Sequence, residues 1–157
     1  MTEAISFDLV LSDAKSATRK QAFQFVAAEL AKMIGIGERV LADKLLDKDR
    51  QANCSIGSGV AVADLRLSSL TQSMTVLVRL NHEVDFEAAD GRAVDLIALV
   101  LSPERDGPQH LARLSKFSRQ MRDENFCNEL RQFKKAEHIR AHLKQIERTR
   151  AALRHAA

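Results

Sequence analysis

The run Val94-Asp95-Leu96-Ile97-Ala98-Leu99-Val100-Leu101 constrains this chain more than any other segment. With a single polar member it lacks the two-residue alternation of a strand with one wet face, and it is too short for a typical buried helix. It therefore predicts a β-strand covered on both sides. Covering both faces of a sheet takes helices above and below it, which makes an α/β layer arrangement the expected architecture. Asp90-Gly91 supplies the turn that leads into this strand.

The flanking segments provide the covering layers. Phe23, Val26, Ala27, Leu30 and Ile34 recur at three- and four-residue spacing between Thr18 and Ile34, with Gly35 as a stop, and predict an amphipathic helix. Glu38 to Lys48 repeats the pattern through Val40, Leu41 and Leu45, with acidic Glu38 at the helix start where the dipole favours it. From Asn53 the texture changes. Gly57 and Gly59 open a tight turn into Val60-Ala61-Val62-Ala63, which reads as a short buried strand, and Ser73 to Leu80 reads as another. After Pro103, helical spacing returns through Leu111, Leu114, Phe117 and Met121, then Phe126, Leu130 and Phe133, then Ile139, Leu143 and Ile146. The expected fold is a single-domain mixed β-sheet sandwiched by helices, over residues 1–147, followed by a basic C-terminal helical extension at 148–157.

Composition narrows the function classes. The longest apolar run, Leu96 to Leu101, is far below the roughly 20 residues that span a bilayer, and the N-terminus MTEAISFDLV lacks the basic-then-apolar order of a secretion signal. A cytoplasmic location is expected. Cys54 and Cys127 are the two cysteines, with no CxxC, so neither a disulfide framework nor a cysteine zinc site is predicted. Residues 131–157 carry eight basic side chains against Glu137 and Glu147, a net of +6, so the remaining 130 residues carry −3 of the total +3. That basic tail could track phosphates, but with Phe133 as its one aromatic and no nucleic-acid module around it, it reads as a solvated helix and nucleic acid is an unlikely partner. His138 and His142 have the i, i+4 spacing of a zinc pair without further ligands, so no metal is predicted.

Chemistry concentrates in Arg50-Gln51-Ala52-Asn53-Cys54-Ser55-Ile56-Gly57-Ser58-Gly59-Val60-Ala61-Val62-Ala63-Asp64. This segment resembles the active-site signature of the mannitol/fructose and nitrogen-regulatory enzyme IIA family of the phosphoenolpyruvate-dependent phosphotransferase system. That signature runs Arg-Glu, a short spacer, Ser-Thr-Gly-Ile-Gly-any-Gly-Ile-Ala-Ile-Pro-His. Arg50, Ile56, Gly57, Gly59, Ala61 and the apolar positions 60 and 62 match. The series continues in register through Val84-Asp85-Phe86, Asp90-Gly91-Arg92-Ala93-Val94, Pro103 and His110-Leu111, so the resemblance covers about residues 5–145.

The resemblance implies a phosphoryl-accepting histidine at the end of the signature, supported by a second histidine aligned with His110, and no cofactor. It implies an HPr-like phosphocarrier as donor and, in the nitrogen-regulatory branch, targets such as a sensor kinase or a transporter. A chain without a fused transporter segment is similar to that regulatory branch. Position 64, however, is aspartate, position 63 is alanine where the signature has proline, and Ser55 replaces its first glycine. A neutral imidazole is a nucleophile near pH 7, whereas a carboxylate is already charged and repels an incoming phosphoryl group unless a cation neutralises it. Enzymatic phosphoryl transfer is thus left open. The expected protein is a regulatory one that binds partners and has lost transfer, the alternative being an acceptor at Asp64 or His110.

On the same resemblance, Asp64, His110 and Arg50 are the candidate catalytic residues, expected to converge in one depression. Asn53, Cys54, Gly57 and Gly59 are the candidate anion- or phosphoryl-binding positions. The Ser55–Gly59 turn could cradle an anion on backbone amides, though it lacks the GxxxxGK[ST] pattern of a nucleotide loop.

Overall fold

The computed structural model describes residues 6–156. In chain order the elements are β1 (Leu9–Ala14), α1 (Arg19–Ala31), α2 (Glu38–Gln51), β2 (Ser55–Gly57), β3 (Val60–Leu67), β4 (Met74–Val84), β5 (Val94–Pro103), α3 (Pro108–Met121), α4 (Glu124–Arg131) and α5 (Ala136–Ala156). The five strands form one mixed sheet in the order β1-β4-β5-β3-β2. β1 runs parallel to β4 and β3 parallel to β5, while β4 with β5 and β2 with β3 are antiparallel.

The apolar run sits where its composition requires. β5 lies in the middle of the sheet, flanked by β4 and β3, and Leu96 through Leu101 are fully buried. Ile97, Leu99 and Leu101 face the cluster formed with α1 and α2, which includes Phe23, Leu30, Leu41 and Leu45. Leu96 and Ala98 face the opposite cluster, with Met121, Phe126, Leu130, Ile139 and Leu143 from α3, α4 and α5. Each of the larger of these side chains contributes about 1.5–3 kcal/mol on leaving water. The polar exception, Asp95, accepts both of its oxygens' bonds from Arg131 Nε at 2.9 Å.

Local signals set the element ends. Thr18 caps α1 by accepting from the Gln21 amide at 3.1 Å, and Asp123 caps α4 by accepting from Phe126. Gly107 precedes α3, whose first residue, Pro108, has no amide hydrogen to leave unpaired.

The observed strands run longer than their apolar signals. β3 extends past Ala63 to Leu67, and β4 past Leu80 to Val84. Two strands are absent from the sequence pattern. β1 offers three apolar residues before Ser12-Asp13, and β2 is three residues long; each is an edge strand held by its neighbour. The order "helices, sheet, helices" read from the pattern is corrected accordingly, because β1 precedes α1. Among the described residues no helix is long and apolar enough to cross a membrane.

Candidate functional site

Alternation along β3 decides which side chains face which layer. Ala61, Ala63 and Leu65 enter the core under α1 and α2, so Val60, Val62 and Asp64 point to the α3 side. The edge strand β2 covers β3 only as far as Val62, whose amide donates to the Cys54 carbonyl at 2.9 Å. Asp64 is the next residue on that face, just past the end of the cover, and its side chain keeps 22% exposure.

His110 approaches from α3. Its Nε2 lies 2.7 Å from Asp64 Oδ2, and its Nδ1 lies 2.7 Å from the Ser102 hydroxyl near the end of β5. The ring is 3% exposed and Ser102 is fully buried. One helical turn along α3, Arg113 donates to Ser102 Oγ at 2.6 Å and to Asp106 Oδ2 at 2.7 Å. On the solvent side Lys48 Nζ stands 3.5 Å from Asp64 Oδ2. A continuous polar chain thus runs Asp106–Arg113–Ser102–His110–Asp64–Lys48, through the buried serine and histidine to an open carboxylate. Beside it lies a cavity of about 260 Å³ lined by Lys48, Asn53, Cys54, Ile56, Val62, Asp64 and Leu114, among others.

Asp64 and His110, expected together, do meet. Arg50 does not join them. It donates to Asp47 at 2.8 Å on the exposed side of α2, and Lys48 is the cation at the carboxylate instead. The reason is helical phase: two residues turn the helix by about 200°, so Lys48 and Arg50 cannot face the same way.

The other positions divide similarly. Asn53 and Cys54 line the cavity, but Asn53 spends its amide on the carbonyls of Phe86 and Glu87, at 2.7 and 3.2 Å, and its oxygen on Ser55. Burial, then the nearby Asp49 carboxylate, pushes the Cys54 thiol up to about 12, so it is a neutral lining group. Gly57 and Gly59 lie elsewhere. Five residues of strand separate Gly59 from Asp64, about 16 Å.

One backbone amide of the Ser55–Gly59 turn, that of Ser58, already holds an anion, donating to Asp90 Oδ2 at 2.7 Å. That bond, followed by the Arg92 amide, lowers the Asp90 pKa. The glycines serve the turn itself. Gly59 has φ +78°, and a Cβ there would stand 2.9 Å from Arg131 Nη2 and 3.2 Å from the Ala93 carbonyl.

Lys48, Ser102, Arg113 and Asp106 were missed from the sequence. A serine closing an apolar strand and an arginine one helical turn from a candidate histidine were the available signals. Among the described residues no group of three or more His, Cys, Asp or Glu gathers as metal ligands, and His142 Nε2 pairs with Glu129 at 3.1 Å.

Residues 3–146 match the family model "Phosphoenolpyruvate-dependent sugar phosphotransferase system, EIIA 2". The chain belongs to that family. Among EIIA relatives, a nitrogen regulatory protein of Bradyrhizobium diazoefficiens is 33% identical over 139 residues, covering 88% of this chain and 91% of the relative. A nitrogen regulatory protein of Klebsiella oxytoca is 24% identical over 132 residues, covering 83% of this chain and 82% of the relative. The crystal structure of nitrogen regulatory protein IIA-Ntr from Neisseria meningitidis superposes with a TM-score of 0.76 at 26% identity, covering 86% of this chain and 92% of the other. IIA mannitol from Escherichia coli, at 17% identity and a TM-score of 0.67 over 85% and 94% of the two chains, shares the fold.

Proposed function

We propose that this EIIA-type chain is a regulatory protein of the phosphotransferase system that binds a partner through the surface around Asp64 and His110 and accepts no phosphoryl group at position 64. One observation carries the reading: the Asp64 carboxylate already occupies the donors an incoming phosphoryl group would need, His110 Nε2 at 2.7 Å and Lys48 Nζ at 3.5 Å. A phosphoryl group arriving there meets a negative charge whose compensating groups are engaged. Aspartyl phosphorylation ordinarily relies on Mg²⁺ held by neighbouring carboxylates, and the described residues around Asp64 gather no such set.

Protein binding is supported by the character of the rim. Leu111, next to His110, is 66% exposed, and Ile56, Val62 and Leu114 give the adjoining cavity apolar walls around the charged centre. An apolar patch with a few fixed polar groups suits a protein surface better than a small sugar. The relatives' names favour a nitrogen-regulatory role, with an HPr-like phosphocarrier, a sensor kinase or a transporter as the class of partner.

The test incubates the protein with phosphoenolpyruvate, enzyme I and the phosphocarrier and reads its intact mass. No gain is expected for the natural chain, whereas Asp64→His, alone or with Ala63→Pro, is expected to take up one phosphoryl group, since His110 and Lys48 then stand free to receive its oxygens. A phosphoryl group on the natural chain would overturn the proposal and favour the second reading, acceptance at Asp64, with Lys48 as the neutralising cation, or at His110.

A further inference from the structure

We infer that Ser102 and Arg113 are positioning residues that hold His110 as the neutral tautomer with its proton on Nε2, so that this ring serves the site as a hydrogen-bond donor and has no lone pair facing a phosphoryl group. The inference rests on the reading that the Asp64–His110 surface is the working site.

The available protons fix this tautomer. A guanidinium has donors and no acceptor, so at 2.6 Å Arg113 Nη1 obliges the Ser102 oxygen to accept. The hydroxyl has one proton of its own, and in a fully buried residue that proton needs an acceptor. His110 Nδ1, 2.7 Å away, is the partner at hand and can accept only if it is unprotonated. The remaining ring proton of a neutral imidazole then sits on Nε2, where Asp64 Oδ2 accepts it at 2.7 Å. In this state Ser102 Oγ, both ring nitrogens of His110 and Asp64 Oδ2 are all paired.

The other two states each leave a conflict. With the proton on Nδ1, two donors converge on the serine oxygen, the hydroxyl proton loses its acceptor, and the Nε2 lone pair faces a carboxylate oxygen at 2.7 Å. The imidazolium satisfies Asp64 but makes Nδ1 a second donor to Ser102, so that the buried hydroxyl's own proton loses Nδ1 as its acceptor. Asp106, at 2.7 Å from Arg113 Nη2, holds the guanidinium in place and balances its charge.

The consequence is chemical. Attack on a phosphoryl group needs a ring lone pair, and the one lone pair of this tautomer points into the protein at Ser102, while the solvent-side nitrogen carries the proton. His110 is therefore suited to hold an anion, whether the Asp64 carboxylate or a partner's acidic or phosphorylated group, and unsuited to become a phosphohistidine. The Lys48 ammonium, on the other side of Asp64, leaves this proton assignment unchanged, because it too can only donate.

The test reads ring protons directly, by long-range ¹H–¹⁵N correlation spectra of the full chain labelled with ¹⁵N-histidine, near neutral pH. The natural protein is expected to show His110 with the Nε2–H pattern. Asp64→Ala removes the carboxylate, so that Ser102 and Arg113 act alone; the Nε2–H pattern is expected to persist. Adding Arg113→Met or Ser102→Ala to that variant is expected to lower the tautomer ratio about ten-fold, the weight of one charge-assisted hydrogen bond.

Arg113→Lys and Ser102→Thr, which retain a donor and a hydroxyl, are expected to retain the lock. An Nδ1–H or imidazolium signal in the natural protein would overturn the inference. So would equal ratios in the single and double variants, since the carboxylate alone would then set the proton. None of these spectra involves a phosphoryl donor or a partner, so a failure here is distinct from a failure of the proposed function, which is read by mass.

Discussion

Removing the Asp64 carboxylate isolates what the site contributes to the fold. In Asp64→Ala the buried His110 Nε2–H loses its acceptor at 2.7 Å, and with the ring 3% exposed, water replaces that bond poorly. An unsatisfied buried donor costs about 1–3 kcal/mol. The lost contact with Lys48, 3.5 Å away and 44% exposed, adds at most a few tenths of a kcal/mol, because exposed ion pairs are weak and salt-screened. The expected loss is therefore about 2 kcal/mol, nearly all of it through His110, and Lys48→Ala alone should cost below about 0.5 kcal/mol.

Urea denaturation of the natural chain, Asp64→Ala, His110→Phe and the double variant closes a thermodynamic cycle, with an expected coupling of about 1–2 kcal/mol that 0.5 M salt leaves largely intact. A coupling near zero, or one that salt abolishes, would show that the contact is a surface ion pair and that the buried relay behind it does not hold His110 in place. Equal losses in Lys48→Ala and Asp64→Ala would refute the assignment of the energy to the ring.

Other sites give further expectations. Arg131→Met removes the paired bonds to Asp95 at 2.9 Å and the bond to the Ser58 carbonyl at 2.7 Å; a loss of about 3 kcal/mol in denaturant unfolding is expected, with Arg79, 3.6 Å from Asp95, limiting the damage. Gly59→Ala combines φ +78° with close approach to the Ala93 carbonyl, whereas Gly91→Ala, at φ +74°, meets open space; the first should cost about 2 kcal/mol or more and the second about 1, by the same measurement. Burial raises the Cys54 thiol from 9.0 to about 12 and the Cys127 thiol to about 11. Their folded-state values lie above the unfolded one, so their contribution to stability is complete below pH 9 and is lost as pH climbs from 9 to 12. Replacing Cys54 by alanine should flatten that decline in pH-dependent unfolding.

The sheet and the functional chain differ in how far they could be read from sequence, and the difference follows from the range of the forces involved. β5 was legible because two-sided burial leaves a composition that no other environment explains, and α1 because its spacing and its Thr18 cap are local properties. β1 was not legible because its strand character comes from its ladder with β4, far away in sequence, and β2 because three residues paired back across the glycine turn onto β3 are too few to show a period. The meeting of Asp64 and His110 followed from family register, which preserves which strand end faces which helix. Arg50 failed because register says nothing about how the end of α2 is phased here, and phase turned Lys48 inward and Arg50 out to Asp47.

The glycine turn shows the same limit from the other side. Gly57 and Gly59 read as room for a bound anion, but the anion in that turn is Asp90, from the loop before β5, supplied by the protein itself. At both places where the signature suggested room for phosphate, the Ser55–Gly59 turn and position 64 beside His110, a side-chain carboxylate already stands, Asp90 in one and Asp64 in the other. In the turn this is architecture, since the bond ties the entry of β3 to the entry of β5. At His110 it lies at the open end of a buried relay, beside an exposed leucine and a lysine. There, substituting one side chain converts an internally satisfied surface into one with free donors, and this makes position 64 the informative one to change.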